Sequence, residues 1–472
     1  RGHNVTVVSF DERGRQKAAR HSPACKLGYV SLGPMPVSEE KEQETIVRLS
    51  QMTNNTFGFM KEASKTIFSA YFEAFGAPFR EIMAAGVIKP DYAVVSLPVG
   101  GVGEVLDEYS IDYAINMPTI LVPPVVPYAA SYVPMPFYHV SLWNMTLLDR
   151  IFVIGSGHLQ HLVKHAASAL GYRFSFMKDV NPKAWWGRLV MINSIPGLDY
   201  PQPLPPLVQY TGPVADLDKM EVLPPEVETF LDGTPEGMPV VYVSFGTVFF
   251  FSKERVAAMV RTLTSDRYRV LWALPKAQQP GLPASLPESI MVHHWIPTPR
   301  ALAHPKVAAF ISHCGGNSVA EAMSVGVPIV GYPQFGDQPA VCQRVADAGA
   351  GRTRPAGSWV QAADVLEVVS SAAFAERART ISRLFRKFGG VGKAADMIEL
   401  GANGDLELMA LPTERSWSAW WKLGGYETLV IALLSAHLIA WAALLSCRAC
   451  CRWCCRRRPH GNAPEQRMKK RQ

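Results

Sequence analysis

The sequence predicts two α/β domains, each built on a parallel, doubly wound sheet, and three observations predict it. Short apolar runs bounded by Gly, Pro or polar clusters recur along the chain, with helical stretches between them. Strands that alternate with helices about every twenty residues need crossover connections, so they pair in parallel. A proline-rich stretch, 199–214, divides this pattern in two; it is too stiff and too poor in N–H donors for a helix or a central strand. Length agrees, because 472 residues with 48% hydrophobic and 18% charged content exceed one core and are too apolar for disorder.

In the second half the expected strands are 240–245, 269–274, 290–296, 307–312 and 328–333, with helices over 253–263 and 317–325. Gly326 and Pro328 stop one helix, Pro339 starts the next and Gly349 ends it. The first half is noisier, with strands expected at 5–10, 26–32, 92–97 and 119–124. These elements give an N-terminal domain 1–200, a linker 201–235 and a C-terminal domain 236–405. A juxtamembrane stretch 406–427, a membrane helix 428–446 and a basic tail 447–472 follow. A cleft between two such domains is the default ligand site.

The net charge of +7 is a property of the tail, where nine Lys and Arg side chains stand against one acid, Glu465. The rest of the chain is close to neutral, which gives no reason to expect nucleic acid. From Thr428 to Ser446 run nineteen residues whose only ionisable group is His437, about 28 Å of helix, close to the hydrocarbon thickness. Trp420, Trp421 and Tyr426 lie on one side and the Arg cluster on the other, so the expectation is a single-pass anchor with the body lumenal and the tail cytosolic. The final Lys469-Lys470-Arg471-Gln472 fits a dilysine retrieval signal, which points to the endoplasmic reticulum membrane. Five of the eight cysteines crowd into this tail, abutting too closely for a zinc loop and better placed for acylation. Cys25, Cys314 and Cys342 remain for the body, which is not expected to depend on a disulfide framework. The chain opens on Arg1 without a signal segment, so upstream residues are expected. Asn54 and Asn144 head glycosylation sequons; Asn4 heads another that is expected to be buried in a strand.

Chemistry concentrates in four places. ISHCGGNSVAE, 311–321, sets a strand, a Gly-Gly turn and a helix start in order. Gly315 and Gly316 let the backbone approach a ligand, Asn317 and Ser318 can cap the helix, and His313 can donate to an anion there. VSFGT, 243–247, ends another strand in small residues. Phe335-Gly336-Asp337-Gln338 brings a carboxylate and an amide to a strand end, a pair suited to sugar hydroxyls. Trp295 offers a flat face for a base, or merely packs in a core.

Together these residues resemble a known family. WIPxPxxLxHPxxxxFISHCGxNSxxEAxxxGVPxVxxPxFGDQ, 295–338, is similar to the donor-binding signature of the UDP-glycosyltransferases with the GT-B fold. RGHNVTVV (1–8), SYVP (131–134), PLPP (203–206), VYVSFGT (241–247) and the apolar segment with its basic tail extend the likeness, and topology favours the membrane-anchored UDP-glucuronosyltransferase-like branch. The resemblance implies that Trp295 stacks on uracil and Glu321 holds the ribose hydroxyls. It places Gly246, Thr247, Ser312, His313, Gly315, Asn317 and Ser318 round the diphosphate, and Asp337 and Gln338 on the sugar. Thr298 stands where the family usually has Gln, which puts one ribose contact in question. Neither a metal nor a cofactor is implied, the UDP-sugar being a co-substrate.

The implied reaction is inverting transfer of glucuronate or a hexose to a hydroxyl of a small lipophilic acceptor, which segment 118–143, rich in Pro, Tyr, Val and Met, would line. A His base is expected upstream of Arg1. Its Asp partner would fall at the end of strand 92–97, where Ser96 stands. A donor-binding relative without catalysis, acting as a partner subunit, is therefore the alternative. A cytosolic sterol-type glucosyltransferase is disfavoured by the topology. Homo- or hetero-oligomerisation stays open.

Overall fold

The computed structural model describes residues 2–10, 27–34, 74–96, 101–119, 141–149, 187–202, 204–214, 220–246, 250–409 and 426–456. Residues 1–411 form one compact unit and 412–472 another. Every strand pairing in the first unit is parallel.

The second half is built on six strands: β7 (Val240–Ser244), β8 (Arg269–Ala273), β9 (Ile290–His293), β10 (Val307–Ser312), β11 (Ile329–Gly331) and β12 (Gly351–Thr353). Their order across the sheet is β12-β11-β10-β7-β8-β9, so chain direction across the sheet reverses between β7 and β10. Ligands of open α/β sheets gather at the strand carboxyl ends of such a switch point. Alternation along the strands sends Val240, Tyr242, Leu271, Phe310 and Ile329 into one core. It sends Val241, Val243, Val270, Trp272, Ile311 and Val330 into the core on the opposite face. Five of these strands fall on the expected runs; β12, only three residues long, was not expected.

The first half holds a pair, β1 (Val5–Ser9) with β2 (Leu27–Ser31), and a sheet in the order β3 (Tyr92–Ser96), β4 (Asp112–Met117), β5 (Val190–Ile192), β6 (Val208–Tyr210). Here the reading needs correction. The strand expected at 119–124 lies mostly outside the described residues, and the observed β4 precedes it. β6 lies inside the predicted linker 201–235, at the sheet edge where proline neighbours do not interrupt a ladder. Asn4, Val5 and Thr6 are exposed, not buried.

The helices that matter for the site are α1 (Lys253–Leu263), α2 (Thr298–Leu302), α3 (Gly316–Val325), α4 (Gln338–Asp347), α5 (Ala372–Phe388) and α6 (Gly390–Ala402). Ser252 caps α1, accepting from the Arg255 N–H. Gly389 and Gly390, at φ 93° and 53°, turn the chain between α5 and α6 through a conformation that disfavours a Cβ. The turn carries α6 back onto the first sheet, although its residues fall in the predicted C-terminal domain. Ala394 packs there with Leu189, Met191 and Leu207, and Lys393 Nζ donates to the Tyr210 carbonyl at 2.7 Å.

Among the described residues of the second unit is the helix α7 (Tyr426–Arg456), which contains the expected apolar segment. Among the described residues no helix is long and apolar enough to cross a membrane, so the structure does not carry the membrane-span reading of 428–446.

Candidate functional site

At the switch point, β10 leads through Ser312-His313-Cys314-Gly315 into α3. The turn is closed by its own side chains. Ser312 is fully buried, and its Oγ accepts the Cys314 N–H at 3.0 Å, while Cys314 sits at φ 61°. Ser312 therefore shapes the turn, and its hydroxyl does not stand open to a diphosphate. Gly315 takes the N-cap position of α3 without a side-chain cap; Asn317 and Ser318 lie inside the helix, Asn317 exposed. The first-turn N–H groups thus keep no side-chain cap, an arrangement that favours an anion.

The two glycines assigned to the diphosphate serve first to make room for an imidazole. A Cβ at Gly315 would lie 2.6 Å from His313 Nε2, and one at Gly246 would lie 2.9 Å from His313 Cε1. A Cβ at Gly316 would meet the Pro118 carbonyl at 2.6 Å and Thr119 at 2.8 Å, so this glycine admits the first half of the chain. Burial lowers the His313 pKa to about 4 against a hydrogen bond that the ring donates to the Ser244 backbone, which raises it. Its Nδ1 is buried with no hydrogen-bond partner. At neutral pH His313 is an uncharged imidazole, so before a ligand arrives it brings no positive charge to the site. Thr247 lies outside the described residues.

Trp295 follows β9 with 48% of its surface exposed, which excludes the core-packing reading and leaves a face for stacking. Glu321, on α3, is raised to about 7 by burial. Thr298 opens α2, and its hydroxyl pairs with the Tyr242 hydroxyl at 3.0 Å. Tyr242 is fully buried and stacks on Phe310 at 5.2 Å; burial raises its pKa, and the charge of Glu321 raises it further. Thr298 therefore ties the back of the pocket together and does not present its hydroxyl to a ribose.

Asp337 is the N-cap residue of α4. Burial raises its pKa, and Thr119 donates to its Oδ2 at 2.5 Å, which lowers it. Gln338 is buried, and its Oε1 accepts from the backbone N–H groups of Gln334 and Phe335 at 2.9 and 3.2 Å. Its carbonyl staples the 334–338 loop, so only Asp337 of the predicted sugar pair presents an oxygen. Ser96 is exposed at the end of β3, in register with Asn116 of β4.

Three features escaped the sequence reading. Thr119 gave no signal because it follows an unrecognised strand. Cys314 and Cys342 form a disulfide with Cα atoms 5.3 Å apart, tying the His313 turn to α4 and correcting the expectation of a disulfide-independent body. Asp199 and Arg344 form a buried ion pair at 2.7 Å.

The parallel α/β sheets and the glycine-rich turn at the switch point define a fold and a candidate anion site, and comparison with known proteins gives the family. The family described as UDP-glucoronosyl and UDP-glucosyl transferase matches residues 116–386, more than half of the chain, which therefore belongs to it and is a UDP-glycosyltransferase. Among its relatives, UDP-glycosyltransferase stmC of Aspergillus ustus is 26% identical over 74% of this chain and 70% of its own. UDP-glucuronosyltransferase 2C1 of Oryctolagus cuniculus is 29% identical over 47% of this chain and 43% of its own. A crystal structure of UDP-glucose: anthocyanidin 3-O-glucosyltransferase in complex with UDP shares the fold at a TM-score of 0.54 and 15% identity, covering 85% of this chain and 91% of that one.

Proposed function

We propose that the chain transfers a glucuronosyl or hexosyl group from a UDP-sugar, with inversion, to a hydroxyl of a small lipophilic acceptor. One juxtaposition carries this reading: the uncapped start of α3 beside a buried, neutral His313, with Asp337 at the start of α4 on the same side of the sheet. In this reading Trp295 stacks on uracil, Glu321 accepts from the ribose, and the first turn of α3 holds the diphosphate through its N–H groups and dipole. An anion beside His313 favours the imidazolium, so binding of the diphosphate is coupled to uptake of one proton from solvent by this histidine. Asp337 accepts from sugar hydroxyls. No cofactor is needed for these roles. The acceptor hydroxyl requires a base to take its proton. The alternative of an inactive partner subunit rests on Ser96 alone and gains nothing from relatives named as transferases.

We also propose a single-pass anchor at 428–446 with a lumenal body in the endoplasmic reticulum. Its support is the nineteen-residue run interrupted only by His437, together with the exposed Ile431, Leu438 and Ile439 on α7. Titration calorimetry with UDP, followed by conjugation assays with UDP-glucose and UDP-glucuronate on phenolic acceptors, tests the catalytic reading. Absence of UDP binding would sink it. Carbonate extraction of membranes tests the anchor, which predicts retention in the pellet.

A further inference from the structure

Asp337 is held from two directions, and only one of them is in the pocket. The direct contact is Thr119, which donates to its carboxyl. The other lies two helical turns along α4. Arg344 is seven residues on from Asp337, so the two share a face of the helix, the one turned to the first half of the chain. Between them Val341 lines a small cavity together with Thr119, Asn193, Ser194 and Arg344, and the Asn193 Oδ1 and Ser194 Oγ on its wall are buried without partners. The seam therefore runs from Thr119–Asp337, across this cavity, to Arg344.

Arg344 is built into that seam as few surface arginines are. It is 2% exposed and Asp199 is 1% exposed, with Nε to Oδ1 at 2.7 Å. Its guanidinium lies 4.3 Å from the centre of the Tyr200 ring and donates to the Ala340 carbonyl at 3.2 Å. The Asp199 carboxylate accepts in addition from the Tyr210 hydroxyl at 3.1 Å and from the Tyr200 N–H at 2.8 Å. The Tyr200 hydroxyl returns to α4 and donates to Asp347 at 2.6 Å. Buried ion pairs stabilise little against apolar substitutes, but they fix relative geometry, because a shift leaves a charge unpaired in a dry site. Here the fixed elements are Asp199 and Tyr200, which precede β6 in the first half of the chain, and α4, whose N-cap is Asp337.

Resting on the donor-binding reading above, we propose that Arg344 is a positioning residue for sugar transfer: paired with Asp199, it holds α4 in the register that sets Asp337 against Thr119 and the sugar. In that reading UDP is gripped by Trp295, Glu321 and the first-turn N–H groups of α3, whereas the ion pair acts on α4; Gly316, at the start of α3, shares the cavity wall with Arg344. Loss of Arg344 therefore acts on the sugar and spares the nucleotide.

The test uses the full chain with UDP, UDP-glucose and UDP-glucuronate, in Arg344→Met, Arg344→Lys, Asp337→Asn and the Arg344→Met/Asp337→Asn double variant. Tyr200→Phe, which keeps both charges and removes one tie to α4, serves if Arg344→Met does not fold. The expected result is a Kd for UDP within about twofold of wild type in every variant. Sugar transfer should fall at least tenfold in kcat/KM for Arg344→Met, less for Arg344→Lys, and about threefold for Tyr200→Phe. In the Asp337→Asn background, Arg344→Met should cost less than threefold more, because the group it positions is already disabled. A structural role alone would give multiplicative losses, or would lower UDP and sugar binding together, and either outcome overturns the proposal. Wild-type protein that fails to bind UDP overturns the donor reading itself. Wild type that binds and transfers while Arg344→Met and Tyr200→Phe match it overturns the positioning role alone.

Discussion

The two halves of the chain are built from the same parts and are not equally specified by their sequences. The second sheet has six parallel strands in one continuous order, apolar cores on both faces, and its site residues on the segments that follow β7, β9, β10 and β11. The first half divides its described strands between a pair and a separate four-stranded sheet, whose last two members are three residues each. It also borrows α6 from the far end of the unit to cover one face. A nucleotide is bound by backbone geometry that a rigid, self-contained sheet supplies. The first half contributes single side chains to that site, such as Thr119, and is held in place by contacts it does not make alone. The donor pocket should then tolerate changes in the first half better than sugar placement does.

The sharpest break of that comparison is at Asp337, where the second half meets the first. Asp337→Leu removes the carboxyl and leaves the Thr119 hydroxyl without its acceptor. Hydrogen bonds to a charged group contribute about 1.5–3 kcal/mol each, so loss of two sugar contacts should lower transfer by roughly 10²–10⁴-fold. UDP affinity should hardly change, as calorimetry on the same protein would show. Equal losses in both would mean that the pocket cannot be divided this way.

The disulfide gives the next largest effect, this time on stability. Cys314 and Cys342 are 28 residues apart, and closing a loop of that length is worth about 3.5 kcal/mol in the chain-entropy account. Replacing both by Ser, each fully buried, should lower the unfolding free energy of the second sheet by at least that much, read by hydrogen exchange on β10 and α4. Exchange on β3 and β4 should stay as it was. A thiol count of the unreduced protein checks the bond independently.

What the sequence could show follows the same division. Strands β7 to β11 were legible because each is an apolar run, largely buried except at the edge strand β9, and a run of that kind between turn residues has few other readings. β5 and β6 were not, since three buried residues carry too little pattern and β6 hides among prolines. Within the site, motifs at strand ends singled out Trp295, His313 and Asp337, and the family resemblance added Glu321. Neither could tell which polar groups face a ligand and which face each other. Ser312, Thr298 and Gln338 have the right chemistry for a ligand, yet spend their oxygens on the Cys314 N–H, the Tyr242 hydroxyl and the 334–335 backbone. Cys314 with Cys342 and Asp199 with Arg344 are far apart in sequence, and no local pattern joins such pairs.

Gly315→Ala tests the most local claim about the pocket. Its φ of −58° suits alanine, so any cost comes from the Cβ, which would sit 2.6 Å from His313 Nε2. Displacing the imidazole should weaken UDP binding roughly tenfold, in line with about 1–3 kcal/mol for an added methyl group in a packed site. In a His313→Ala background the same substitution should cost almost nothing further, and that non-additivity is the measurement to make. Additive effects would mean that the glycine serves the ligand directly.

The smallest effect expected is also the one whose sign is most informative. Glu321 is raised to about 7 and His313 lowered to about 4, both by burial. A ribose that donates to Glu321 favours the carboxylate, so binding should release a proton and weaken as pH falls through 7. A diphosphate beside His313 favours the imidazolium, so binding should take up a proton and strengthen as pH falls toward 4. UDP affinity should therefore dip by a few-fold on going from pH 8 to about 6 and recover below it. Glu321→Gln should abolish the dip and keep the recovery, while His313→Ala should do the reverse. Without ligand the signs differ. The native state holds the Glu321 proton more tightly than the unfolded chain, so ionisation of this residue costs stability progressively from the ordinary carboxylate range up to about 7. Glu321→Gln should thus raise the melting temperature more at pH 8 than at pH 4. A rise equal at both pH values would show that the side chain is not held in the buried position from which its role at the ribose follows.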